Sequence, residues 1–346
     1  MEQLDGTEML DLMVSPVFCV KDGRIVKLNE AASRLFLREG VEIAQLLESG
    51  AEDYAAFSGG MLYITLCLYG QRWGATVTKV AGMDVFTLDQ QFDSDELRVL
   101  ALAARELRSP LANAMLAAQQ LPESGDGNVA RLNRGLHQLL RIIGNMSDAS
   151  GCGPGSSREA VNADTFFREI MEKAAALTER SGISMHYSGL NEDVFFSADR
   201  QKLERAALNM LSNALKFGAP GGTILAELRL NGKLLRFSVT DDGCGIPEGI
   251  RASLFRRYLR EPSIEDSRCG IGLGMLMIRN AAAAHGGAVL ADQLPGGGTR
   301  ITMTLSTDVQ EDNTLHTRQL PADYAGELDH ALLELSEILP ADLYDM

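Results

Sequence analysis

Two apolar series that step by three and four residues constrain this chain more than anything else in it. The first runs Leu97, Leu100, Ala104, Leu107, Leu111, Ala114, Ala118 and Leu121; the second runs Val129, Leu132, Leu136, Leu139, Ile143 and Met146. That spacing keeps a single stripe of a helix apolar. Pro122 and the turn Glu123–Asn128 separate the two series, so residues 93–150 are expected to fold back as an antiparallel helical hairpin. One hairpin alone covers its stripe poorly. Two copies are therefore expected to pair as a four-helix bundle, which makes the chain a homodimer.

Residues 1–92, ahead of the hairpin, alternate short β-like runs with turns. "PVFCV" (Pro16–Val20), the turn KDGR and "IVKL" read as a hairpin, and Asn29 caps a short helix over 29–36. "MLYITLCLYG", "RWGATVTKV" and "DVFTLDQ" read as three antiparallel strands. This order of elements resembles a PAS sensor domain, an α/β unit; another small α+β domain is the alternative. The first histidine is His137, so this stretch offers no imidazole to a haem. Neither Cys19 nor Cys67 has the Asn-Cys-Arg setting of a photoactive flavin domain. A small apolar ligand, or no ligand and only a dimer contact, stays open for it.

"SGCGPGSSR" marks a linker over 151–158. Residues 159–307 mix helical patterns with the β-like runs "GTILAELRL", "LLRFSVTDDG" and "TRITMTLS", and the fold class is α+β, multidomain. The segment 308–346 is acidic. Leu328, Leu332, Leu335 and Ile338 line one helix face there. A helix docked on its own chain is the preferred reading, and a partner-binding segment is the other.

Three segments within 159–307 carry chemistry. In "NMLSNALKFG", Asn209 and Asn213 stand four apart on one helix face. A carboxamide oxygen can ligate Mg²⁺, and Lys216 can reach a phosphate. In "TDDGCGIP", Asp241 follows a strand and can accept from an adenine amino group, while Gly243 and Gly245 let backbone approach a flat ring. In "CGIGLGMLMI", Gly270, Gly272 and Gly274 open an apolar helix whose free N–H groups suit phosphate.

The order of these segments resembles the ATP-binding domain of sensor histidine kinases. "GGGTRITMTL" and "SLFRRYLR" are similar to that domain's last glycine turn with its strand and to its Phe-bearing segment before a mobile lid. The resemblance implies an α/β sandwich that takes ATP and Mg²⁺. It puts the metal on Asn213 with Asn209 beside it, and adenine on Asp241. Lys216, Phe217, Ile246, Leu273 and Thr299 would border the nucleotide, Gly270–Gly274 would close over the phosphates, and the lid would span about 257–267. Related ATPases keep a water-activating Glu four residues before the metal-binding Asn. Here that position is Asn209, so slow hydrolysis is expected.

The hairpin resembles the same family's dimerisation and phosphoacceptor hairpin, whose motif is H-E-L-R-T-P. This chain reads Arg105-Glu106-Leu107-Arg108-Ser109-Pro110. A guanidinium stays protonated and is no nucleophile, so autophosphorylation is in doubt. Glu106 and Ser109 are the candidates for a surviving phosphatase step on a response-regulator receiver domain. Arg105 itself would pair with a phosphoryl group or a receiver carboxylate, or would simply face solvent. His137, beside Leu136, is the alternative acceptor. The implied function is phosphate transfer or gating toward a response regulator; a non-enzymatic ATP-binding scaffold that recruits a partner is the alternative.

Composition sets the outer limits. The net charge of −15 disfavours nucleic acid and anionic membrane surfaces. Five Cys without a CxxC pair argue for a reducing, cytoplasmic setting. No apolar run reaches the ~20 residues of a membrane span, and the acidic N-terminus is unlike a signal peptide.

Overall fold

A computed structural model describes residue 10 and residues 13–90, 95–121, 127–149, 158–179, 182–248, 254–255, 273–308 and 328–344. The first unit contains β1 (Val17–Lys21), β2 (Arg24–Leu28), α1 (Glu30–Ser33), β3 (Leu47–Ser49), α2 (Ala51–Ala55), β4 (Met61–Leu68), β5 (Gln71–Val80) and β6 (Met83–Gln90). Its tight hairpins close on Asp22-Gly23, Tyr69-Gly70 and Ala81-Gly82, every one at positive φ. Two consecutive left-handed residues match the strand twist, and the glycine makes the second one cheap. Asn29 caps α1, accepting from Ala32 N–H at 2.9 Å. Its Oδ1 also accepts from Val17 N–H at 2.9 Å, so one buried amide ties the helix start to β1. Phe18 and Phe86 stack at 4.8 Å in the core of this unit.

Helices α3 (Asp95–Gln119) and α4 (Asn128–Ala149) form the hairpin. Among the described side chains, alternate members of each apolar series are covered within the chain. Ala104, Leu111 and Ala118 are buried on α3, and Leu136 and Ile143 on α4. Leu107, Leu121, Leu132 and Leu139 stand exposed. No helix among the described residues is long and apolar enough to cross a membrane.

The second unit holds β7 (Glu159–Asn162), α5 (Ala163–Thr178), β8 (Ser184–Ser188), β9 (Phe195–Ala198), α6 (Arg200–Phe217), β10 (Thr223–Asn231), β11 (Leu234–Thr240), α7 (Leu273–Ala284), β12 (Val289–Gln293) and β13 (Thr299–Ser306). Asp199 caps α6 by accepting from Lys202 N–H at 3.1 Å. Phe167 of α5 stacks on Phe237 of β11 at 4.2 Å, fixing that helix to the sheet. A last short helix, α8 (His330–Glu334), packs against α4 and α6.

The two units share a single eleven-stranded sheet. Its order is β2-β1-β6-β5-β4-β12-β13-β11-β10-β8, with β3 added on β4. The junction is antiparallel and pairs Leu62 with Leu290 and Tyr63 with Val289. Buried polar groups lock it. Asp53 of α2 pairs with Arg236 of β11 at 2.6 Å and accepts from the Thr304 hydroxyl at 2.7 Å. Arg279 of α7 pairs with Asp89 at 3.0 Å, lies 3.9 Å over the Tyr63 ring, and donates to the Phe255 carbonyl.

His285, just past α7, reports on the core of the second unit. Its Nε2 accepts from Asp199 N–H at 3.0 Å and its Nδ1 bonds the Ala281 carbonyl at 2.7 Å. Burial pulls its pKa down to about 4. Lowering means the neutral ring is the stable form in the fold. The resulting stability, about 3 kcal/mol at 1.36 kcal/mol per pH unit, is present above the free imidazole value near 6.5 and lost as pH falls toward 4. Urea midpoints measured at pH 7.5 and pH 4.5 check this. His285→Gln, which keeps an acceptor for Asp199 N–H, is expected to flatten the difference; an unchanged slope contradicts the assignment.

Candidate nucleotide site

The site forms where β11 ends against α6. Asp241 follows the strand and is pinned from both sides. Its own N–H donates to the Thr299 carbonyl at 2.9 Å, and its Oδ1 accepts from Gly243 N–H at 2.9 Å and Thr299 N–H at 3.2 Å. Burial pushes its carboxyl above the usual carboxylate range, and the two N–H groups only partly offset that. The turns beside it admit no side chain. A Cβ on Gly243 would lie 1.9 Å from the Phe217 carbonyl oxygen, and one on Gly298 would lie 2.2 Å from that of Asp241. Gly298 N–H donates to the Gly243 carbonyl at 2.7 Å, stitching the two turns together. The neighbouring Asp242 accepts from Ala219 and Thr223 N–H groups, so this second acid serves the loop after α6.

Helix α6 brings up the polar groups. Asn209 is buried, and its Nδ2 donates to the Arg205 carbonyl at 2.8 Å and to Glu334 at 3.3 Å. Its Oδ1 would meet a Cβ on Gly274 at 2.9 Å, which places the first turn of α7 directly against α6. Asn213, one turn on, is half-buried, as are Lys216 and Phe217. Lys216 pairs with Glu337. Ile246 and Thr299 are buried at the rim, and Leu273 packs with Leu276, Met277 and Met146. Gly245 has φ +79° and lies against Gln293. Gly270, Gly272 and the lid over 257–267 lie outside the described residues.

The hairpin motif sits on α3, with Arg105, Glu106 and Ser109 all exposed. His137 is buried on α4. Its Nδ1 bonds the Asn133 carbonyl at 2.8 Å and its ring meets Tyr344 edge-on at 4.9 Å. Burial lowers its pKa.

Sequence reading missed five residues of this region. Glu334 is fully buried and takes Arg205 Nε at 3.0 Å on Oε1, with Arg141 Nε 3.3 Å from Oε2. Arg205 also donates to Asn145 of α4 at 2.6 Å. Glu337 lies 3.1 Å from Arg141. A signal was available: Arg205 stands one turn before Asn209, and the two carboxylates are three apart in a segment rich in Leu.

Residues 198–309 match the family model described as histidine kinase-, DNA gyrase B- and HSP90-like ATPase. The sensor protein KdpD of Mycobacterium tuberculosis is 28% identical over 229 residues, covering 62% of this chain and 26% of its own length. The histidine-protein kinase/phosphatase MprB of Mycobacterium ulcerans is 27% identical over 321 residues, covering 88% of this chain and 61% of its own. This chain thus spans about a quarter to three-fifths of these two relatives. The solved structure of full-length ShkA with AMPPNP shares the fold, at a TM-score of 0.50 and 24% identity over 61% of this chain and 46% of that one. An ATPase-type nucleotide domain therefore occupies the second unit. The chain is thus similar to sensor histidine kinases over about two thirds of its length, its ATPase-type domain included.

Proposed function

We propose that this chain binds ATP with Mg²⁺ at the Asp241 site and gates phosphate at a response-regulator receiver domain, without carrying the phosphoryl group on its own hairpin. The convergence of Asp241, Asn209, Asn213 and Lys216 beside glycine-only turns carries the reading. Those residues fit the nucleotide. With Oδ1 of Asp241 committed to two N–H donors, Oδ2 is left to accept from an adenine amino group. Asn213 is the Mg²⁺ ligand, since a hard cation takes amide oxygen readily. Lys216 is the cation for a terminal phosphate, and Phe217, Ile246, Leu273 and Thr299 flank the base and sugar. Gly270 and Gly272 complete the phosphate turn. The metal-bound triphosphate supplies a polarised phosphoryl group; the protein's part is to hold and orient it.

The hairpin fills the second role. Arg105 cannot accept phosphate, and buried His137 is a poor substitute for the missing imidazole. Glu106 and Ser109 are the polar pair offered to a receiver, and the relative that is a kinase/phosphatase favours this direction. The exposed row Leu107, Leu121, Leu132 and Leu139 supports a two-copy bundle, because a second hairpin would cover the uncovered half of each seam. The antiparallel order β2-β1-β6-β5-β4 with short helices supports the PAS-like reading of the first unit.

The test uses the full chain with terminally labelled ATP, Mg²⁺ and a phosphorylated receiver. No acid-labile label is expected on the chain, while the receiver should lose phosphate faster in its presence. Glu106→Ala should cut that acceleration by roughly a hundredfold, the lower end of the range for a positioned acid or base. Acid-labile label on the unaltered chain would overturn the reading.

A further inference from the structure

We propose that the segment 328–344 is a tethered acidic ligand for the phosphate end of the nucleotide site, so that ATP and this segment exclude one another. The inference rests on the ATP reading above. It starts from where two carboxylates lie. Glu334 reaches Asn209 and Arg205, and Glu337 reaches Lys216. Asn209 stands one turn before the expected Mg²⁺ ligand Asn213, and Lys216 is the group expected to face a terminal phosphate. An ammonium held by Glu337 is drawn away from a terminal phosphate, and Glu334 puts a second negative charge against the same end of the site.

The surroundings are those of a built anion site. Arg205 and Lys216 come from α6, and Arg141 comes from the hairpin helix α4. Arg205 and Arg141 are buried, and buried cations demand an anion. Two carboxylates answer three cations here. Arg141 Nε and Nη1 approach both carboxylates at 3.3 and 3.1 Å, yet make no aligned hydrogen bond among the described residues. A triphosphate, with more charge and more oxygens, satisfies such a cluster better than two carboxylates do. Burial alone would raise the Glu337 carboxyl; Arg141 and Lys216 outweigh it and hold it below the usual range, so it stays anionic.

The segment is docked by more than charge. Leu333, Leu335, Leu339 and Tyr344 are fully buried. The Arg134 guanidinium donates to the Ser336 and Glu337 carbonyls at 2.9 and 2.8 Å, and Asn133 donates to the Tyr344 carbonyl at 3.0 Å. All these anchors are on α4. The segment thus straps the hairpin to the nucleotide unit, and its departure frees both the phosphate end of the site and the face of α4 it covers.

The experiment compares the full chain with Glu334→Gln/Glu337→Gln, which keeps shape and one acceptor oxygen at each position while removing both charges. ATP with Mg²⁺ is titrated into each, and amide exchange of 328–344 is followed in the unaltered chain. The double variant should bind ATP at least about tenfold more tightly, because a larger fraction of molecules is binding-competent. In the unaltered chain, saturating ATP should strip protection from Leu335 and Leu339. Equal affinities, or protection that persists at saturation, would overturn the proposal while leaving the nucleotide site intact. Loss of ATP turnover in the variant at unchanged affinity would make Glu334 a catalytic group and overturn it too. If neither protein bound ATP, the nucleotide reading itself would fall.

Discussion

Arg236→Met is expected to lower the unfolding free energy by about 3–5 kcal/mol, the usual cost of removing one partner from a buried ion pair. Arg236 holds Asp53 at 2.6 Å, and Asp53 is 1% exposed. Without the guanidinium, the Thr304 hydroxyl is the only donor left to that carboxylate among the described residues. A lone hydroxyl does not repay the desolvation of a charge. Adding Asp53→Asn should recover more than half of the loss, since an amide needs no counter-charge. Urea unfolding of the single and double variants measures both numbers. Amide exchange at Leu62 and Leu290 shows whether the shared sheet opens first. A loss below about 1 kcal/mol, typical of a surface pair, would contradict the buried junction.

Asp241→Asn is expected to weaken ATP binding by about 100-fold or more. Asn keeps an Oδ1 for the Gly243 and Thr299 N–H groups, so the turn should fold. Its Nδ2 then stands where the second carboxylate oxygen was and opposes the adenine amino group, donor against donor. Losing one charge-assisted hydrogen bond and burying an unmatched donor costs roughly 3 kcal/mol together, which is the stated factor. Burial raises the Asp241 carboxyl, so the unaltered chain should also lose affinity at a higher pH than an ordinary carboxylate would impose. Competition against a fluorescent nucleotide gives both results. Binding within threefold of the unaltered chain would remove Asp241 from the adenine position.

Much of this was legible before any coordinates, for physical reasons that differ by element. The strands of the first unit were readable because X-Gly pairs punctuate them, as at Asp22-Gly23 and Tyr69-Gly70. Asp241 and the amides of α6 stood out because few other functions need those residue types in that order. The short β3 and α2 were missed, having neither period nor caps long enough to register. The joining of β4 to β12 was missed as well. Alternation in Leu62 and Leu290 says that each strand has a covered face, not which edge it pairs with. The heptad pattern marked two apolar helix stripes but not the split between covered and exposed positions, which depends on what packs against them. The segment read as acidic with one apolar helix face, but Glu334 and Glu337 were not singled out in it, because their burial shows only once Arg141 and Arg205 are seen around them.

The central claim is a single adenine-reading site built on Asp241, and calorimetric titration of the full chain with ATP and with GTP, each with Mg²⁺, tests it most directly. Guanine presents a carbonyl oxygen where adenine presents its amino group, so it meets the carboxylate acceptor to acceptor. The account predicts saturable ATP binding at one nucleotide per chain and GTP binding too weak to saturate. No heat beyond dilution with ATP, or equal affinity for the two nucleotides, would contradict it.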